Sequence, residues 1–480
     1  MFQLCRSATA NGAPAGAAPS SPNAAPVAMP PLRNRLSPED RERKAAFETA
    51  SVLQAELEAR IQGEVRFDAG SRMLYSTDAS NYQIEPVGVV IPRSVDDVIA
   101  AVEMAASHSV PILPRGGGSS LAGQTVGAAL VIDTSKYLNR VVAFQPESRS
   151  VTVEPGINLD MLNRHVKASG LMFGPDPSSS NRATIGGVIG NNSAGAHSIL
   201  YGMTADHILS TRVQLAEGGT VELGSGSGTG SGSASMDDLL RRARADDPTG
   251  RLLTRILAFR DTHRELIERD FPPHWRRATG YSLNEFLKPD DAFNPARLMA
   301  SSEGTLGTVL NATLNLVETP VATGLMLLQF DDLIAAMEAT SLILETDPSA
   351  IELMDRMLIG LTRQQPGYAN MISFIHGDPA GVLAVEYYGH DERELQAKCD
   401  RLAERLRAHN VHLSTDPQIV LDPKRQADVW SVRKAGLGLL MSVRGDAKPI
   451  PVIEDVSVPV EHLAEYVAAI EELVAAHGTT

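Results

Sequence analysis

The segment PRGGGSSLAGQTVG, Pro114 to Gly127, constrains this chain more than any other. An apolar stretch, VPILP, runs straight into three adjacent glycines. Residues without side chains let successive backbone N–H groups turn toward one point, and they let an anion approach closely. Ser119 and Ser120 add hydroxyl donors. A pyrophosphate suits such a nest, and for an isolated triplet a tight turn between strands is the plain alternative. Two other phosphate-binding designs are excluded. No Gly-Lys-Ser or Gly-Lys-Thr follows, so this is not a Walker-type loop. The G-x-G-x-x-G pattern occurs nowhere, and no amphipathic helix pattern follows the triplet directly. A phosphate here would be held by main-chain amides rather than by a helix N-terminus.

Two later segments raise the odds of a single site. GPDPSSSNRATIGGVIGNNSAG, Gly174 to Gly195, is again dense in glycine and small donors and has little to fill a core. It reads as a loop. Ser179, Thr184, Asn191 and Asn192 are the side-chain types that hydrogen-bond the edge of a flat heteroaromatic ring. A third segment, SSEGTLGTV, joins a short apolar stretch to an expected strand.

Composition narrows the partners. The 480 residues carry 58 acidic and 43 basic side chains, a net charge of −15. A surface of that sign repels phosphate backbones and excludes general nucleic-acid binding. Cys5 and Cys399 are the two cysteines, too few for a disulfide scaffold or a cysteine-ligated zinc or iron–sulfur site. No apolar run reaches the ~20 residues that span a bilayer, and no secretory h-region opens the chain. These features suit a cytoplasmic protein, with peripheral attachment at the inner membrane as the variant.

Around the loops the pattern alternates. Residues 1–36 read as a disordered low-complexity tail. A lead-in over 37–81 starts with a helix capped by Ser37, with Pro38 first and Gly63 as its stop. Strand and helix then alternate from Val87, Ser94 and Asp97 forming a capping box. GSGSGTGSGSAS, residues 224–235, is a flexible insertion by composition. Beyond Pro320, LMLLQF, ISFIHG and VLAVEYYG read as strands. DDLIAAMEATSLILE and ERELQAKCDRLAERLRAHN read as helices, which makes a second α+β unit. A final helix begins near Pro459 with Leu463, Val467, Ile470 and Val474 on one face.

Five segments together carry a resemblance. PRGGGSS, TIGGVIGNNSAGAHSILYG, EGTLGTV, WSVRKAGLG and EDVSVP resemble the FAD-linked oxidases of the vanillyl-alcohol-oxidase (PCMH-type) superfamily. More narrowly they are similar to its D-lactate, glycolate and D-2-hydroxyglutarate dehydrogenase branch, as in the N-terminal part of bacterial FAD-binding and iron–sulfur fusion proteins. The resemblance runs from about Tyr75 to the C-terminus. It implies an α+β fold, with a two-subdomain PCMH-type FAD-binding domain over 82–319 and a truncated cap domain over 320–480. It implies that Pro114, Arg115, Gly116, Gly117, Gly118, Ser119 and Ser120 hold the pyrophosphate. Pro175, Ser179, Thr184, Gly186 and Gly187 would line the ribityl chain and isoalloxazine, with Asn191, Asn192 and Gly195. Glu303, Gly304 and Val309 would complete the site. Relatives with covalent flavin carry histidine where this chain has Ser119, so the resemblance implies non-covalent FAD.

The activity so implied is oxidation of a D-2-hydroxy acid (D-lactate, glycolate or D-2-hydroxyglutarate class) to the 2-oxo acid, with hydride transfer to flavin. The resemblance puts Arg433 against the substrate carboxylate. Lys448 is a second candidate, with Glu454 or Asp455 orienting it. On the residues alone an ordinary surface Arg–Glu pair is the favoured reading, and the resemblance reverses it. Twelve histidines form no evident cluster. His409 and His412 read as surface residues, and His197 as a packed or hydrogen-bonded neighbour of the flavin loop. The family's HAGDGNLH-like segment does not occur before the chain stops at HGTT. The expectation is therefore a fragment of a longer protein, with the catalytic base unassigned, no metal ligands, and any iron–sulfur module beyond the chain end. The electron acceptor is a quinone, a cytochrome or that module. The competing expectation is a non-catalytic flavin-binding or electron-relay module of a larger assembly.

Overall fold

The first sheet exists to carry the glycine triplet. Gly88–Ile91 and Leu130–Asp133 are buried at every position, as parallel strands covered on both faces are. They pair in parallel, Gly88 opposite Leu130, and Ile112–Arg115 pairs in parallel on the far side of Leu130–Asp133. Glu64–Arg66 closes the other edge antiparallel. Ile112–Arg115 is thus an edge strand, and the triplet leaves its C-terminal end. The computed structural model describes residues 38–224, 235–277, 280–443 and 456–478, with 38–48 described by backbone alone. The N-terminal tail, nearly all of the glycine–serine insertion, Lys448, Glu454 and Asp455 lie outside the described residues.

Helix Val95–Ser107 crosses between the first two parallel strands. Ser94 Oγ caps it, accepting from the Asp97 N–H at 3.2 Å. Asp97 does not return the bond to Ser94 as a capping box would. Its buried carboxylate instead accepts from the Arg93 N–H at 2.8 Å and the Gln62 N–H at 3.0 Å. It therefore staples the exit of helix Pro38–Arg60 onto this sheet. Gly63 follows at once, where a Cβ would meet the Ile91 carbonyl oxygen at 2.3 Å.

A five-stranded antiparallel sheet follows, in the order Val141–Gln145, Ser150–Val153, Thr308–Asn315, Ile208–Gln214 and Thr220–Gly224. Its central strand, Thr308–Asn315, alternates buried and half-buried positions, one face to the core and one away. Helices Leu159–Val166 and Pro248–Asp270 add Leu159, Leu162, Val166, Leu253 and Ile267 to the same core.

The remaining chain builds an antiparallel sheet ordered Ala350–Asp355, Gly381–Gly389, Ala322–Phe330 and Gln418–Val420. Helices Leu333–Leu344 and Glu392–Ala408 cover one face through Ala336, Leu395, Cys399 and Leu402. Helix Pro423–Met441 covers the other through Val429, Val432 and Leu439. The fold is α+β. ISFIHG is a correction: it is a turn, closed by the Ile375 N–H on the Ile372 carbonyl at 3.0 Å. Its buried positions, Ile372, Phe374 and Ile375, break the two-residue period a half-buried strand requires. No described helix is long and apolar enough to cross a membrane.

The staple is testable. Asp97→Ala leaves two main-chain donors without their acceptor and should lower stability by about 2 kcal/mol. A thermal melt of the variant beside wild type reads this, and an unchanged midpoint would show that the staple contributes nothing.

Candidate functional site

The glycine triplet is held from behind. The Arg115 guanidinium lies beside Gly118 and donates to three carbonyls, of Thr77 at 2.8 Å, Thr125 at 3.1 Å and Tyr75 at 3.2 Å. It also lies over the Tyr75 ring, 5.2 Å from the centroid, while the Tyr75 hydroxyl donates to Asp133 at 2.6 Å. Asp78 accepts from the Thr125 hydroxyl at 2.8 Å, and the Ala79 N–H donates to the Gly118 carbonyl at 3.0 Å. A loop with no side chains of its own is in this way made rigid by the segment Tyr75–Ala79.

The second segment packs directly against its backbone. A Cβ on Gly116 would lie 2.0 Å from Thr184 Oγ1, and one on Gly117 would lie 2.3 Å from the Arg182 carbonyl oxygen. Its glycine-rich composition predicts a loop. The structure folds its centre into a short helix, Ile185–Asn191, whose Ile185, Val188 and Ile189 are buried. Glycines at 186, 187 and 190 masked the period. Asn192 ends the helix at φ +53°, with Oδ1 accepting from the Ala205 N–H at 2.8 Å.

The third segment clamps the end of that helix. The Ser301 N–H donates to the Ile189 carbonyl at 3.3 Å and the Glu303 N–H to the Gly190 carbonyl at 3.0 Å. Ser301, Glu303 and Gly304 all have positive φ, at 62°, 48° and 78°. Two non-glycine residues in this region mark stored backbone strain at a wall that must keep its shape.

The three segments enclose a cavity of about 710 Å³. Pro114, Arg115, Gly116, Gly117, Gly118, Ser119 and Ser120 line it. So do Ser179, Thr184, Gly186, Gly187, Asn191 and Asn192 from the second segment, and Glu303, Gly304 and Val309 from the third. Pro175 and Gly195 lie off the wall, and Gly195 packs on Asp176 instead. Residues that sequence reading passed over also line the cavity, among them Tyr82, Pro155, Arg276, Arg277, Thr308 and Leu437. Nothing in HWRRATG distinguished that arginine pair from surface charge.

Two hydroxyl oxygens in the wall have no partner among the described residues. Thr184 Oγ1 and Thr308 Oγ1 are buried, on residues only 3% and 1% exposed, and neither makes a hydrogen bond. Such groups persist where something else fills their bonding capacity. Burial pushes the Glu303 carboxyl up to about 7. Near neutral pH it is a mixture of acid and carboxylate, able to donate as well as accept. Burial also lowers the Arg277 guanidinium, against the opposing pull of Asp206 and Glu285.

Beyond the cavity a charged chain joins the two halves. His197 Nδ1 meets Asp176 Oδ2 at 2.7 Å, and His197 Nε2 meets Glu386 Oε2 at 2.6 Å. Glu386 also accepts from Trp430 Nε1 at 3.2 Å and the Ser349 hydroxyl at 3.0 Å. Burial works against the imidazolium, but the hydrogen bonds to Asp176 and Glu386 outweigh it and push His197 up to about 10. His197 is a hydrogen-bonded neighbour of the loop; Asp176 lies within that loop, and Glu386 lies 189 residues on. Arg433 does not line the cavity. Its Nε pairs with Glu352 Oε2 at 2.5 Å, one helical turn before the lining residue Leu437. His409 and His412 are partly or largely exposed, as their sequence setting suggested.

Comparison with known proteins fits this geometry. Residues 86–224 match the FAD binding domain and residues 319–480 match the FAD linked oxidases, C-terminal domain. The chain is 32% identical over 428 residues to a D-2-hydroxyglutarate dehydrogenase of Pantoea ananatis (strain AJ13355), which covers 87% of this chain. It spans 41% of that relative's length. It is 28% identical to the glycolate oxidase subunit GlcD of Bacillus subtilis (strain 168), covering 87% of this chain and 74% of the relative. Among solved structures, an alkyldihydroxyacetonephosphate synthase aligns at a TM-score of 0.56 and 18% identity, covering 82% of this chain and 68% of that one, which shows the fold. The cavity suits FAD: its walls are main-chain amides and two unpartnered buried hydroxyls, donors and acceptors for phosphate and ring edges.

The buried ion chain makes a prediction with a definite sign. A histidine raised in the folded state stabilises fully below its unfolded value near 6.5 and loses that contribution as pH rises through about 10. His197→Gln should cost about 3 kcal/mol near pH 6, because it leaves two buried carboxylates without their cation. Its deficit relative to wild type should shrink between pH 7 and 10. Denaturant unfolding across that range reads both, and a deficit independent of pH would contradict a charged His197.

Proposed function

The chain belongs to the FAD-linked oxidases, and from that premise we propose that it oxidises a D-2-hydroxy acid to the corresponding 2-oxo acid. The observation that carries the reading is the convergence of three glycine-bearing segments, far apart in sequence, on one cavity with unpartnered hydroxyls in its wall. Relatives named D-2-hydroxyglutarate dehydrogenase, and glycolate oxidase subunit GlcD, point to the substrate class. Bound FAD supplies an acceptor for the hydride leaving the α-carbon.

The residues have separate tasks in this reading. The amides of Gly116, Gly117 and Gly118, with the Ser119 and Ser120 hydroxyls, hold the diphosphate. Ser119 offers no imidazole for a covalent link, so FAD is held non-covalently. Ser179, Thr184, Gly186, Gly187, Asn191 and Asn192 line the ribityl chain and ring, and Glu303, Gly304 and Val309 close the far wall. Arg433 takes the substrate carboxylate, with Glu352 fixing its Nε and leaving its outer N–H groups for the acid. Lys448 adds a second cation for a dicarboxylate. A quinone, a cytochrome or an iron–sulfur module takes the electrons onward.

Two measurements test this. Anaerobic addition of D-lactate, glycolate or D-2-hydroxyglutarate should bleach the flavin absorbance of the FAD-loaded chain or of a longer protein containing it. Flavin that stays oxidised in both with all three acids would reject the activity and leave a flavin-binding module. Gly116→Val, which drives a side chain onto Thr184, should weaken FAD binding about 100-fold by fluorescence titration. Wild-type affinity in that variant would remove the first segment from the site.

A further inference from the structure

We propose that Arg277 is a carboxylate-binding residue of the cavity, a cation additional to Arg433 for a small organic acid. The identity of that acid as a 2-hydroxy acid rests on the function proposed above; the anion site itself does not.

Arg277 lines the cavity and is half-buried. Its Nη1 donates to the His274 carbonyl at 2.9 Å, and its guanidinium lies over the Phe271 ring, 5.6 Å from the centroid. These two contacts fix the orientation of the guanidinium and supply no counter-charge. Among the described residues, no carboxylate lies within ion-pair distance of it. Asp206 and Glu285 act on it only at longer range. Three arginines outside the cavity wall are paired with carboxylates, Arg260 with Asp290 at 2.9 Å, Arg297 with Glu285 at 3.8 Å and Arg433 with Glu352 at 2.5 Å, and Arg115 on the wall donates to carbonyls.

A guanidinium carries five N–H donors in a planar fork that matches a carboxylate. Holding one partly out of water without an anion is costly, and the cost is offset when an anion arrives. The backbone beside it is tied down, because the Ser457 hydroxyl donates to the Arg276 carbonyl at 2.7 Å. The donor fork is therefore preorganised, which favours binding over rearrangement. The phosphates of the cofactor are the competing oxyanion. They are met by the glycine amides of the first segment, where the Arg115 donors are already spent on carbonyls. Arg277 is thus available to the acid beside Arg433.

The test uses the full chain loaded with FAD and oxalate, a carboxylate that flavin cannot oxidise. Binding is read from the flavin difference spectrum, and FAD affinity separately by fluorescence. Arg277→Met should weaken oxalate binding about 10- to 100-fold with FAD affinity unchanged. Arg277→Lys, which keeps a point charge but loses the fork, should fall between the two and controls for folding. Three results overturn the proposal: wild type that does not bind oxalate, oxalate binding that survives Arg277→Met, or FAD affinity that falls in parallel. The last assigns Arg277 to the cofactor phosphates. Because oxalate binding needs no turnover, failure of every hydroxy acid to bleach the flavin would sink the proposed activity and leave this site standing.

Discussion

The contact between Gly116–Gly117 and Thr184–Arg182 is the constraint on which the cavity depends. The turn after an edge strand and the segment leading into helix Ile185–Asn191 approach so closely that a single methyl group has no room. Such an approach needs glycine, and glycine alone would leave the wall floppy. The structure resolves the conflict by stiffening each segment from outside: Arg115 and Asp78 behind the first, Asn192 at the end of the second, strained backbone at Ser301 and Glu303 in the third. The amides stay available to a ligand because other groups hold the chain in place.

A second requirement is that the last sheet sit in register with this wall. The Asp176–His197–Glu386 chain supplies the link. Asp176 lies within the second segment and His197 just beyond it, whereas Glu386 lies on Gly381–Gly389 and also takes the indole of Trp430. Helix Pro423–Met441 therefore reaches the same buried carboxylate that touches the loop. That helix carries both Arg433 and the lining residue Leu437. Burying one cation between two carboxylates is directional and sensitive to small displacements, so it favours one placement of the halves.

What could be read from the sequence was what is local. Glycine runs, strand endings and the Ser94 cap act within a few residues, and the structure places Ser94 as expected. The order of three loops was also legible, since each carried its own signal. The helix Ile185–Asn191 was not, because its glycines hide the apolar period. ISFIHG looked like a strand because composition outweighed periodicity. Gln62, Glu386 and Glu352, distant partners of Asp97, His197 and Arg433, lie 35, 189 and 81 residues away, and no local pattern reports such distances. Arg277 was missed because an arginine beside an arginine looks like surface charge until the pairing of its neighbours is known.

The central claim is that main-chain amides of three separated segments enclose one FAD. Amide hydrogen exchange followed by mass spectrometry, with and without added FAD, tests it most directly. The account predicts new protection in residues 114–125, 182–194 and 301–309 together. Protection confined to one of these segments, or appearing elsewhere with all three unchanged, would contradict it.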